Sequence, residues 1–143
     1  FGEKLKWAAK VLYLADNAGE VFFDLPLVKW MRRSAEVIYV VKGSPVGDDI
    51  TLEDMERVGL NGELERVITT GTATPGVDLS LASEEFKGEL MSADLVLAKG
   101  MAYYEALSEL PREERFFFCL RAKCKPVADS LGVPLDSYVA MLW

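Results

Sequence analysis

The chain contains no histidine. That absence excludes the serine and cysteine triads that use imidazole as base, and every zinc site ligated by histidine. Any cation held here rests mostly on oxygen. Cysteine is nearly as scarce: Cys119 and Cys124 are too few for a disulfide scaffold and lack the Cys-x-x-Cys spacing. Both read as structural, in keeping with a reducing, cytoplasmic setting. No apolar run approaches the roughly 20 residues of a membrane span. The three lysines of residues 1–10 precede an apolar run, residues 11–15, that is too short for a signal-peptide core. Basic side chains are outnumbered 16 to 23, a net charge of −7, which disfavours a nucleic-acid or anionic-membrane surface. An anionic substrate would need a local cation. Neither a Gly-x-Gly-x-x-Gly after the first strand nor a Walker loop is present, so the dinucleotide and P-loop fingerprints are missing.

What is present is a core. With 143 residues, half of them apolar, the chain fits one domain spanning residues 1–143. It begins with Phe and not Met, which raises the expectation that it is a piece of something longer. Short apolar, β-branched or aromatic runs at residues 11–14, 37–41, 66–69, 95–98 and 116–120 alternate with helical-length stretches, and residues 139–143 add a candidate last strand. Helices are predicted at residues 23–33, entered through Pro26; from Thr51, with Asp54 completing a capping box, to Val58; from Ser83, with Glu84 and Glu85 in its first turn; at residues 103–109; and up to Leu131. Asn61-Gly62 reads as a turn. This alternation predicts a three-layer α/β/α domain with a mostly parallel, Rossmann-like sheet of five or six strands.

Ligands of such sheets collect at the carboxyl ends of the strands, where this sequence puts Asp16, Asn17, Asp49, Thr72 and Lys99. Asp16 and Asn17 offer a carboxylate and an amide to a divalent cation, or serve as an Asx turn or helix cap. Asp48 and Asp49 read as a further ligand on the neighbouring strand end or as a solvated cap. Oxygen ligands favour magnesium or manganese, with cobalt and nickel also able to accept them. Lys99, followed by Gly100, either reaches a phosphate or faces solvent. The hydroxyls and backbone N–H groups of residues 70–76, Thr72 among them, could cradle an anion. Glu105 either holds the lysine or stabilises the first turn of its helix.

Asp16-Asn17-Ala18-Gly19-Glu20 resembles the signature of the damage-control phosphatase family, also described as acidic-residue methyltransferase-like. The resemblance continues through residues 43–51 with Glu53-Asp54, through Gly71 and Pro75-Gly76, through Ala98-Lys99-Gly100 with Tyr104-Glu105, and through Lys123-Cys124. It implies a metal-dependent phosphatase acting on small phosphorylated metabolites such as sugar phosphates. It also implies that Asp16, Asn17 and Asp49 bind the cation, and that Lys99 binds phosphate. On that reading Asp16, Asp49 and Lys99 carry the chemistry, with Thr72 and Glu105 as further substrate contacts. Whether Asp16 is nucleophile, ligand or both stays open.

Three departures from the family pattern stand out. Asp48-Asp49 replaces the usual Asn-Asp, and Met101, Ala102 and Tyr103 stand where Gln and Asn are common. The family's N-terminal helical portion is absent from these residues. Two rival functions follow: a metal-binding fragment without turnover, and a carboxyl methyltransferase, which would need S-adenosylmethionine and the glycine-rich loop that the first strand lacks.

Overall fold

The computed structural model describes residues 1–60 and 62–143, so the proposed Asn61-Gly62 turn lies partly outside the described residues. The elements, in chain order, are α1 (Gly2–Trp7), β1 (Lys10–Leu14), α2 (Val21–Met31), β2 (Glu36–Val41), α3 (Leu52–Arg57), β3 (Val67–Thr69), α4 (Glu84–Ser92), β4 (Leu95–Lys99), α5 (Met101–Leu107), β5 (Phe116–Arg121), α6 (Lys125–Leu131) and β6 (Tyr138–Leu142). The six strands form one sheet in the order β3-β2-β1-β4-β5-β6. All pairings are parallel except β5 with β6.

Alternation along the strands divides the core into two layers. Leu12, Leu14, Ile38, Val40, Val96 and Ala98 point to one face, where Phe86 and Leu90 of α4 and Tyr103 and Leu107 of α5 cover them. Val11, Tyr13, Val37, Tyr39, Leu95 and Leu97 point to the other, under Leu5 of α1, Val28 and Met31 of α2 and Met55 of α3. Burial on both faces is why the parallel strands read as unbroken apolar runs. The fold is the predicted three-layer α/β/α. No helix among the described residues is long and apolar enough to cross a membrane.

Local signals account for most element ends. Thr51 and Asp54 form the predicted capping box, each side chain bonding the other's backbone N–H at 3.2 and 3.0 Å. Ser83 caps α4 by accepting from the Phe86 N–H at 3.1 Å. Two expectations need correction. Helix α1 forms where the sequence read only as a charged stretch, because Leu5 has an apolar face to bury. Helix α2 starts at Val21, so Pro26 lies inside it and not at its entrance. A 3-10 turn over Ala18–Glu20 feeds straight into α2 and starts it early. The hydrogen bond that Pro26 cannot make falls beside exposed Phe22, where water replaces it cheaply.

Strands β1, β2 and β3 run to one side of the sheet, and the chain then crosses back to lay β4 on the other side of β1. The loops after β1 and β4 therefore depart in opposite directions and leave a crevice between them, the position where open α/β sheets take ligands.

Candidate functional site

Asp16 follows β1 and Lys99 ends β4, so the crevice lies between a carboxylate and an ammonium. The backbone on the Asp16 side is tied to the loop after β2. Ile50 N–H donates to the Asp16 carbonyl at 2.9 Å, Ala18 N–H donates to the Asp48 carbonyl at 2.8 Å, and Asn17 pairs with Asp49 in an antiparallel bridge. These bonds bring Asp16, Asn17 and Asp49 together from two adjacent strand ends. The Asp48 side chain is exposed.

Gly100 sets how close the two sides can come. Its φ of +88° belongs to glycine, and a Cβ there would fall 2.5 Å from the Asp16 carboxylate. The same turn lets α5 begin at Met101, two residues before the predicted start. Gly100→Ala is expected to cost about 2–4 kcal/mol of stability, since steric clash and left-handed strain add at one site. Urea unfolding measures it.

The residues around Lys99 are not those expected. Its ammonium donates to Asp24 at 2.7 Å and pairs with Glu20, whereas Glu105 is exposed on α5 and does not hold it. Asp24 is 4% exposed and accepts from Tyr13 and Tyr39 hydroxyls at 2.7 and 2.8 Å, so a stacked tyrosine pair on β1 and β2 fixes it. Burial opposes the charge on Lys99, yet the bonds to Asp24 and Glu20 outweigh it and raise the amine above its ordinary value. Lys99 is a permanent cation here and not a base. Burial, followed by the negative charge of Asp24, pushes both tyrosine hydroxyls up, which keeps them donors.

A second lysine sits on the other side. Lys42 is 1% exposed, lies 3.3 Å from Asp49, donates to the carbonyls of Thr74 and Gly76, and stacks its ammonium over Tyr103 at 4.4 Å. The loop of residues 70–76 is thus pinned from within. Thr72 is buried, its hydroxyl spent on Thr74 at 2.9 Å and its carbonyl on Gly43 N–H at 3.0 Å. Lys42 thereby links this loop to Asp49, and the Thr72 hydroxyl is already paired. Gly76 packs so closely on the Ala102 carbonyl that a Cβ would sit 2.2 Å away.

Sequence reasoning missed Glu20, Asp24 and Lys42. Two of them carried a signal: Lys42-Gly43 after β2 repeats the strand-lysine-glycine pattern of Lys99-Gly100, and Asp24 is a lone acid among Phe22, Phe23, Leu25 and Leu27.

Two clefts open here. One, of about 440 Å³, runs from Asp16, Glu20 and Gly100 to Lys123, Arg121 and Tyr138. The other, of about 630 Å³, is bordered by Asn17, Glu20, Phe23, Asp48, Asp49 and Arg57. Met101 lines the first, while Tyr103 is buried, so of these two departures from the family pattern only Met101 faces a ligand space.

The donor set fits a hard divalent cation. Burial, then the charges of Asp49 and Glu20, raise the Asp16 carboxyl from 3.8 to about 6, against the smaller pull of Lys123 and Lys99. Negative charge at this spot is undercompensated, as a cation site requires before loading. The Tyr103 hydroxyl is buried without a partner, and after burial itself the charges of Asp49 and Asp16 are what push it up. Among the described residues no three Cys, Asp or Glu side chains gather into a ready cage; Asn17, next to Asp16 and paired through its backbone with Asp49, offers a further oxygen of the kind such cations accept.

A mostly parallel six-stranded sheet with Lys42 and Lys99 paired to carboxylates beyond its strand ends defines a Rossmann-like α/β domain. The sequence profile described as the damage-control phosphatase ARMT1-like domain matches residues 1–139, and the chain belongs to that family. It is 43% identical over 141 residues to a damage-control phosphatase of Pyrococcus horikoshii, covering 97% of this chain and 48% of that protein. A damage-control phosphatase of Archaeoglobus fulgidus is 40% identical, covering 93% of this chain and 46% of its own length. An uncharacterised protein of Methanocaldococcus jannaschii is 42% identical, covering 92% and 44%. The crystal structure of a DUF89 family protein from Pyrococcus horikoshii superposes with a TM-score of 0.90 at 43% identity, covering 98% of this chain and 49% of that one. The chain spans about half the length of the relatives it matches.

Proposed function

We propose that this chain carries the metal and phosphate sites of a metal-dependent phosphatase that hydrolyses small phosphorylated metabolites, with sugar phosphates the first class to test. One observation carries the reading: Asp16 and Lys99 stand at the neighbouring ends of β1 and β4, and backbone bonds between the loops after β1 and β2 bring Asp49 beside Asp16. Family membership supports it, since two relatives are named as damage-control phosphatases.

Asp16, Asn17 and Asp49 would hold the cation, which is manganese, cobalt, nickel or magnesium. When bound, such a cation supplies Lewis-acid polarisation of a phosphoryl oxygen. Lys99, its charge guaranteed by Asp24, donates to the equatorial oxygens as negative charge builds on them. The Tyr13–Asp24–Tyr39 clamp keeps the ammonium in place, so little reorganisation is needed at the moment of reaction. Lys42 holds Asp49 and keeps the residue 70–76 loop shut beneath it. The cleft of about 440 Å³ accommodates a small metabolite, with Lys123 and Arg121 along its wall. Overall negative charge makes these local cations the selective feature for an anion.

A panel of sugar phosphates and one aryl phosphate, offered to metal-stripped protein with each of the four metals, tests the proposal. Metal-dependent phosphate release that vanishes in Asp49→Ala is the expected result. A second reading, metal binding without turnover, draws on the chain spanning half the length of its relatives. Metal-induced thermal stabilisation with no release from any substrate would select it.

A further inference from the structure

Lys99 has two carboxylate partners, and they differ in kind. Asp24 is buried on α2, with tyrosine hydroxyls on both of its oxygens, and has nowhere to go. Glu20 stands at the end of the 3-10 turn with its side chain 38% exposed, and Lys99 is the partner that holds it. Glu20 is also the residue shared by the borders of both clefts. It therefore sits where the phosphoryl group of a substrate would have to reach Lys99. Asp24 alone neutralises the ammonium, so a phosphate arriving beside an unmoved Glu20 meets net negative charge.

We propose that Glu20 is an exchangeable occupant of the phosphate position: its carboxylate screens Lys99 until a phosphoryl group displaces it, while Asp24 stays bound throughout. This deepens the phosphatase reading and rests on it. The consequence is selectivity. A doubly charged phosphate monoester outcompetes a tethered carboxylate for the ammonium, whereas a singly charged carboxylate ligand does not, because it offers Lys99 no more than Glu20 already does. Glu20 is in this sense a specificity-determining residue, and Asp24 a positioning residue.

The test titrates inorganic phosphate, and separately acetate, into the protein in magnesium-containing buffer by calorimetry. Wild type is expected to bind phosphate and reject acetate. Glu20→Gln, which keeps shape and removes charge, is expected to bind phosphate on the order of tenfold more tightly and to admit acetate. Glu20→Ala, which removes the carboxylate altogether, is expected to move the same way, and unfolding midpoints confirm that both variants fold. Weaker phosphate binding in both variants would overturn the proposal, since Glu20 would then be holding Lys99 in its working position. Lys99→Met separates this from the reading beneath it: phosphate binding by Lys99→Met equal to wild type, or none by any variant, sinks the phosphate site itself.

Discussion

Asp16→Asn raises the unfolding midpoint of the metal-free protein at pH 7.5 and loses stabilisation by manganese. The first half follows from the carboxyl value of about 6, the second from the proposed place of Asp16 among the metal ligands. A carboxyl whose folded-state value lies above its ordinary 3.8 favours folding while protonated and opposes it once ionised. Its contribution is therefore fully present below about pH 4, and it is lost as pH rises through about 6. Asparagine never ionises and so keeps that contribution at high pH. The variant should exceed wild type by about 1–2 kcal/mol above pH 7, after allowance for screening at a partly exposed site. The two should converge near pH 4. With metal the order reverses, because saturating metal at 100 times its dissociation constant adds about 2.7 kcal/mol to wild type and nothing to the variant. Thermal unfolding between pH 4 and 8, with and without manganese, measures both. Equal pH dependence in the two proteins would show that Asp16 is not the strained group. Metal stabilisation surviving in the variant would move the cation elsewhere.

Lys99→Met should separate metal binding from phosphate chemistry. The lysine contacts Glu20 and Asp24, not Asp16, Asn17 or Asp49, so metal-induced stabilisation should persist. Removing a preorganised donor to developing oxyanion charge costs roughly 10²–10³ in turnover. Some stability is lost as well, because Asp24 keeps its two tyrosine donors and loses its cation. Arginine is not a conservative rescue: its planar fork does not match a pocket built around one ammonium on Asp24. Steady-state kinetics beside thermal shifts would check the separation. A variant that turns over normally, or one that loses the metal response, would assign Lys99 a different task.

Residues 11–14, 37–41 and 95–98 announce parallel strands because both faces of each strand are buried. Thr51 with Asp54, and Ser83, announce helix starts because capping is a contact over three residues. Pro26 misled for the complementary reason. Its local preference for a helix entrance was overridden by the turn at Ala18–Glu20, which fixes where α2 leaves β1.

The sequence by itself therefore determined the strands and the helices after α1, the absence of imidazole chemistry, and the strand-end positions of Asp16, Asn17, Asp49, Thr72 and Lys99, since each depends on neighbours a few residues away. Tertiary structure alone decided the order β3-β2-β1-β4-β5-β6, and with it the crevice between β1 and β4. It alone placed Asp24 and Glu20, 75 and 79 residues before Lys99, on that lysine, turned Glu105 to solvent and buried Thr72. The reason is that a charge buried at a strand end takes whichever partner the sheet order and helix packing bring within reach. No local pattern along the chain encodes that distance.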